Sequence, residues 1–99
     1  MTEYQPLYKW QVTWPDPGDA DSWKTDFIGL DGDVTIGRIR FEPMGLKKNT
    51  WMWSGHGPRV RERLTPHQGY APTAREASRM VEDYYHRLMR HNKMRGSKD

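Results

Sequence analysis

The side chains of this sequence best suited to recognition are basic and aromatic. Arg59, Arg61 and Arg63 alternate through one stretch, Arg75 and Arg79 follow at a helix start, and Arg38 and Arg40 lie upstream on a strand. Guanidinium groups and helix starts both hold phosphates, so these seven arginines are expected to form one cationic patch. Trp51 and Trp53 stand two apart and would offer stacking surfaces for bases if their face of a sheet were open. The same two indoles suit the core of a small domain. The patch requires the guanidinium groups to be bunched beside the helix start. Scatter, or capture of each by a neighbouring carboxylate, would remove it. Spacing of i, i+4 already pairs Arg79 with Asp83, Asp83 with Arg87 and Glu82 with His86, which neutralises part of the positive ridge.

Catalytic and metal-binding patterns fare worse. Ser54-Gly55-His56 places a hydroxyl near an imidazole, but it lacks the Gly-x-Ser-x-Gly elbow and no sequence feature supplies an orienting acid. His86 and His91 are five apart, about 140° around a helix, where shared-face ligands need three or four. His56 and His67 could meet across a loop, yet no carboxylate accompanies them. Asp31-x-Asp33 opens like a calcium loop but continues with Thr35, Gly37 and Arg38 in place of oxygen ligands and a distal Glu. No glycine-rich phosphate loop is present. An enzyme is not expected, and no cofactor or metal is called for.

The chain has 99 residues, no Cys, 34% hydrophobic residues and a mean hydropathy of -1.06. That is one domain's worth of chain with a small core, in which five Trp and five Tyr, at roughly 150 to 250 Å² each, supply much of the buried area. Absence of Cys excludes disulfides, thiolate zinc sites and cysteine nucleophiles. The first residues lack the basic and apolar regions of a secretory signal, and no window approaches the roughly 20 apolar residues of a membrane span, so a soluble, cytoplasmic protein without membrane contact is expected. Charge is uneven. Residues 1–33 carry seven acids against Lys9 and Lys24, a net of -5, while the remainder carries 14 Lys and Arg against six acids, a net of +8. An anionic partner is one use of the basic part; a solvated mixed surface accounts for it equally.

Periodicity predicts the strands and helix that carry these groups. Alternation of Tyr8, Trp10, Val12 and Trp14 with polar residues predicts a strand within 4–14. The acidic stretch Asp16 to Asp21 ends it. Asp31-Gly32 between apolar runs predicts a hairpin of strands 23–30 and 34–42. Buried parity changes at Gly37, which predicts a β-bulge there. Turn residues Pro43, Gly45, Lys47, Lys48 and Asn49 precede a strand at 50–54. The basic stretch 56–69 reads as loop. Thr73-Ala74-Arg75-Glu76 is a capping box that opens a helix over 73–91, with Ala77, Met80, Val81, Tyr84 and Leu88 in one stripe, Ala74 and Tyr85 at its edge, and a frayed tail at 92–99. The expected fold is α+β: a three- to four-stranded antiparallel meander with one C-terminal helix packed on one face.

Gly37-Arg38-Ile39, Trp51-Met52-Trp53 and Gly69-Tyr70-Ala71-Pro72-Thr73-Ala74-Arg75-Glu76-Ala77 together resemble a pattern in small uncharacterised proteins of proteobacterial genomes and their phages. The resemblance covers the second two thirds of the chain. It implies a genome- or prophage-encoded accessory protein, and some proteins of that origin act as inhibitors of host defence, anti-CRISPR proteins among them. Two functions are therefore expected to compete. The first is a non-enzymatic module that engages nucleic acid or a nucleoprotein complex through Arg38, Arg40, Arg59, Arg61, Arg63, Arg75, Arg79, Trp51 and Trp53. The second is a protein-binding inhibitor or adaptor that touches no nucleic acid, with an exposed edge strand available for homodimer formation.

Overall fold

The computed structural model describes residues 4–13, 25–57 and 64–92. Strand β1 (Lys9–Val12) is followed by β2 (Asp26–Asp31), β3 (Val34–Glu42), β4 (Thr50–Gly55) and β5 (Gln68–Ala71), and helix α1 (Ala74–His91) closes the order. The strands form one antiparallel sheet in chain order, each paired with the next, and α1 lies across one face. The fold is α+β, as expected, with one strand more than expected.

That extra strand, β5, joins the end of the stretch read as a basic loop, Gln68 and Gly69, to Tyr70 and Ala71. Its alternation is hidden because its inward positions are Gly69 and Ala71. Gly69 lies against the Trp53 indole, where an added Cβ would sit 2.9 Å from Nε1. A small residue there carries no apolar signal although it faces the core.

The first strand is shorter than the expected 4–14. Residues 4–8 run outside the ladder because Pro6 has no amide proton and the amides of Leu7 and Tyr8 donate to the Glu82 carboxylate instead. The second strand begins at Asp26 and not at 23. Trp14, Trp23, the acidic stretch Asp16 to Asp21 and the tail from 93 onward lie outside the described residues. The expected bulge falls beside Gly37: Gly29 pairs with Gly37 while Leu30 pairs with Thr35, which leaves Ile36 as the extra residue.

Cross-strand partners share a face, so two rows define the two sides of the sheet. Phe27, Ile39, Trp53 and Gly69 form a row under the helix; Asp26, Arg40, Met52 and Tyr70 form a row on the open side. The core lies between the first row and α1, where Ile36, Ile39 and Trp53 meet Ala77, Val81, Tyr84, Tyr85, Leu88 and Met89. Close approach of helix to sheet depends on Gly37 and Gly55, whose missing Cβ positions are filled by Val81 and the Tyr84 ring.

The capping box forms in half. Thr73 Oγ1 accepts from the Glu76 amide at 3.1 Å, while the Glu76 carboxylate turns to Arg79. The buried face of α1 is also rotated from the expected stripe: Met80 is only half-buried, and Ser78, Glu82 and Met89 are buried. A carboxylate therefore occupies the core face. Glu82 is 1% exposed and accepts hydrogen bonds from the Tyr4 hydroxyl, the Leu7 amide at 3.0 Å, the Tyr8 amide at 3.2 Å and the Trp10 indole at 2.9 Å. Those donors tie the N-terminal segment across the helix, where i, i+4 spacing had assigned Glu82 to His86. His86 Nε2 instead lies 2.7 Å from the Tyr8 hydroxyl.

Candidate binding face

The structure does not bring the described arginines of the expected patch together. Arg38 and Arg40 project from the open side of β3, since the residue between them, Ile39, is buried against the helix. Arg75 and Arg79 sit on the first turns of α1, on the other side of the sheet. Arg59, Arg61 and Arg63 lie outside the described residues.

Carboxylates hold three of these groups. Arg38 donates through Nε to Asp26 Oδ1 at 2.8 Å and through its second nitrogen to Oδ2, a bidentate pair that Thr13 Oγ1 joins at 2.7 Å. Burial alone would raise the Asp26 carboxyl, but the Arg38 and Thr13 hydrogen bonds and the charges of Arg38 and Arg40 outweigh it, so its pKa falls below the usual value. The same pairing raises that of Arg38. Arg40 reaches Glu42 at 3.2 Å, and Arg79 pairs with Glu76 at 3.0 Å and not with the expected Asp83. Asp83 pairs with Arg87 at 3.1 Å, as its spacing required. Arg75 donates to the Tyr4 carbonyl at 3.1 Å.

Neither tryptophan is a platform on the open side. Trp53 is buried 6.4 Å from the Tyr84 ring, and half-buried Trp51 packs between Phe27 and Phe41, at 6.2 and 5.5 Å, on the helix side. Comparison with protein-family models, with curated proteins and with solved structures returns no match for the chain.

The aromatic that does face outward is Tyr70, 48% exposed on outer strand β5, with the Lys47 ammonium 5.4 Å from its ring centroid. Pairing of Tyr70 with Met52 and of Met52 with Arg40 aligns it with a cation two strands away. A parallel row of Gln11, Ile28, Arg38, Ser54 and Gln68 adds hydrogen-bonding side chains. Among the described residues of this face and its bordering turn, Lys9, Arg38, Arg40, Lys47 and Lys48 stand against Asp26 and Glu42. Tyr70 is not legible as a site residue in the sequence because its strand is hidden. Its one available signal was an aromatic beside Gly69, two residues from Pro72.

The turn that delivers Lys47 is closed by its own hydrogen bonds. Asn49 N donates to Glu42 O at 2.7 Å, Lys48 N to Gly45 O at 3.2 Å, and Thr50 Oγ1 to Lys47 O at 2.5 Å, with Gly45 and Asn49 in left-handed conformations. It holds Met44 78% and Leu46 104% exposed. On the helix side, an open groove of about 330 Å³ lies between the N-terminal segment and the start of α1, lined by Pro6, Trp10, Phe27, Ile39, Ala74, Arg75 and Ser78.

Ser54 Oγ and His56 Nε2 stand 3.5 Å apart. Among the described residues no three His, Asp or Glu side chains group as metal ligands, and no helix is long and apolar enough to cross a membrane.

Proposed function

We propose that the protein is a non-enzymatic binding module that engages single-stranded nucleic acid, free or within a nucleoprotein complex, on the open face of its sheet. The observation that carries this is Tyr70, half-exposed beneath the Lys47 ammonium on a face with an excess of cations. An exposed ring on an outer strand takes a base by stacking, and adjacent lysines take the phosphates that flank it. The anchoring set is thus Tyr70, Lys47, Lys48, Arg40 and Lys9. Arg75, Arg79, Trp51 and Trp53, on the helix side, are not in it. Arg38 belongs to the face, but its bidentate bond to Asp26 makes it a poor phosphate ligand.

Binding of short single-stranded DNA and RNA at two salt concentrations tests the reading. Affinity should fall steeply with salt, with a log–log slope of roughly -0.7 per phosphate neutralised. No binding at low salt would overturn it.

The competing reading is a protein-binding inhibitor or adaptor, of the kind that the resemblance to phage and prophage proteins implies. Exposure of Met44 and Leu46 favours it, because apolar side chains presented to water serve as anchors in protein interfaces. A stoichiometric protein partner captured from the native host, with no oligonucleotide binding, would decide for it.

A further inference from the structure

We infer that the β3–β4 turn is a peripheral membrane contact, in which Met44 and Leu46 enter an anionic lipid surface while Lys47 and Lys48 meet its phosphates. Four large hydrophobic side chains are exposed among the described residues: Leu7, Met44, Leu46 and Tyr70. Three of them gather at one corner, since the Lys47 ammonium lies 5.4 Å from the centre of the Tyr70 ring. Leu7, the fourth, is in the N-terminal segment that Glu82 holds.

The turn stands clear of its neighbouring strands. Asp26 opposite Arg40 is the last pair between β2 and β3 at this end, and Ala71 opposite Trp51 the last between β4 and β5, whereas β3 and β4 stay paired to Glu42 and Thr50. The hairpin therefore runs on past β2. Beyond its last pair the chain reverses through Gly45 and Asn49, and its own hydrogen bonds close the turn with Met44 and Leu46 pointing into water.

The residue types at this corner divide as a bilayer surface divides. Aliphatic side chains lead, a half-exposed tyrosine with an apolar ring and a polar hydroxyl follows, and two ammonium groups on long apolar stems flank them. Among the described residues neither lysine has an ion pair, and the nearest carboxylate along the chain, Glu42, is taken by Arg40 at 3.2 Å. Cations so placed are drawn to the negative potential of an anionic leaflet.

The same composition argues against a protein partner, because leucine is under-represented among interface hot spots and lysine is depleted from interfaces generally. Nucleic acid leaves the two aliphatics unused. The contact lies on the membrane and does not cross it, as no helix among the described residues is long and apolar enough to do so. The sequence expectation of no membrane contact rests on the absence of a span, which a surface contact does not need.

Co-sedimentation with vesicles tests the contact. The protein should bind vesicles of phosphatidylcholine mixed with phosphatidylglycerol and ignore those of phosphatidylcholine alone. Leu46→Ala, at a fully exposed position, should fold as wild type and bind these mixed vesicles on the order of tenfold more weakly. Lys47→Ala and Lys48→Ala should each lose about fivefold, and less at high salt. Because the chain has no Cys, a Met44→Cys protein carrying an environment-sensitive fluorophore reports insertion. Its emission should shift to the blue on anionic vesicles, and that of a labelled Asp33→Cys protein, in the β2–β3 turn at the far end of the sheet, should not.

No binding to anionic vesicles would overturn the inference. So would equal binding to neutral ones, full binding by Leu46→Ala, or an unshifted emission from Met44→Cys. A protein partner that Leu46→Ala loses, with vesicles unbound by the wild type, would assign the turn to that partner and overturn it too. Leu46 is outside the set that anchors nucleic acid, so Leu46→Ala should keep its oligonucleotide affinity while it loses vesicles. Failure of the vesicle arm alone therefore sinks the membrane contact and leaves the nucleic-acid reading standing.

Discussion

Glu82 Oε2 accepts a 2.9 Å hydrogen bond from the Trp10 indole nitrogen, joining the middle of the helix to the first strand across a chain separation of 72 residues. Tyr4, Leu7 and Tyr8 direct their donors to the same carboxylate. A charged group at the core face is costly unless its lone pairs are filled, and here four donors fill them. The N-terminal segment is thereby fastened over the helix, where it forms one wall of the groove.

Removing that acceptor should be expensive. Glu82→Leu leaves buried amide, indole and hydroxyl donors without partners, a loss of about 3 kcal/mol or more, which corresponds to a fall in Tm of well over 10 °C for a domain of this size. Glu82→Gln keeps the shape and one acceptor oxygen and should lose less. Urea denaturation of the three proteins checks the order; a Glu82→Leu protein as stable as wild type would mean that the segment is not held this way.

Tyr4 and Tyr85 should resist ionisation. Burial raises both, and each hydroxyl donates to a carboxylate, Tyr4 to Glu82 and Tyr85 to Asp31 Oδ2 at 2.7 Å, which raises it further. A folded value above the unfolded value of about 10 gives stabilisation that is complete below pH 10 and lost as pH rises beyond it. Ultraviolet titration of phenolate should therefore show late-ionising tyrosines in the native protein, one fewer in Tyr85→Phe, and all five together in denaturant.

Asp26 acts at the other end of the pH scale. Its folded value is depressed, so its contribution is fully present above the ordinary Asp value of about 4 and disappears as pH falls through the folded value. Asp26→Asn should be less stable than wild type at neutral pH, with the gap closing as the solution is acidified below the ordinary Asp range. Urea midpoints at several pH values supply the test, and a gap that stayed constant with pH would exclude an ionic contribution.

Local signals carried most of the fold. Asp31-Gly32 announced a hairpin, Thr73 and Glu76 announced the helix start, and the parity change announced the irregularity beside Gly37. Each rests on contacts within a few residues. Less legible was whatever depended on distant partners. Glu82 reads as a surface residue until Tyr4, Leu7, Tyr8 and Trp10 arrive from the far end of the chain. Strand β5 is silent because what it buries is small. The described arginines of the expected cluster lie apart for a related reason: sequence nearness says nothing about which side of the sheet Arg38, Arg40, Arg75 and Arg79 take, nor that Asp26 meets Arg38 from a neighbouring strand.

Helix-to-sheet distance should be testable at Gly55. A Cβ there would enter the Tyr84 ring, so Gly55→Ala should cost about 1 to 3 kcal/mol through overpacking. Tyr84→Leu removes the obstructing ring at its own cost. If contact is the cause, the double variant should be less destabilised than the sum of the singles, and a strictly additive cycle would refute direct contact.

The sharpest probe of the open face is Tyr70. Being half-exposed on an outer strand, its ring contributes little to the core, so Tyr70→Ala should fold with nearly wild-type stability. If a base stacks on it, the same change should lower affinity for single-stranded oligonucleotides by about 1 to 3 kcal/mol, roughly 5- to 150-fold, while Tyr70→Phe retains most of it. Lys47→Ala should act differently, reducing the salt slope by about 0.7 because one phosphate contact is lost. Fluorescence anisotropy across a salt series separates the two effects. Full affinity in Tyr70→Ala, with the salt slope unchanged in Lys47→Ala, would move nucleic acid off this face altogether.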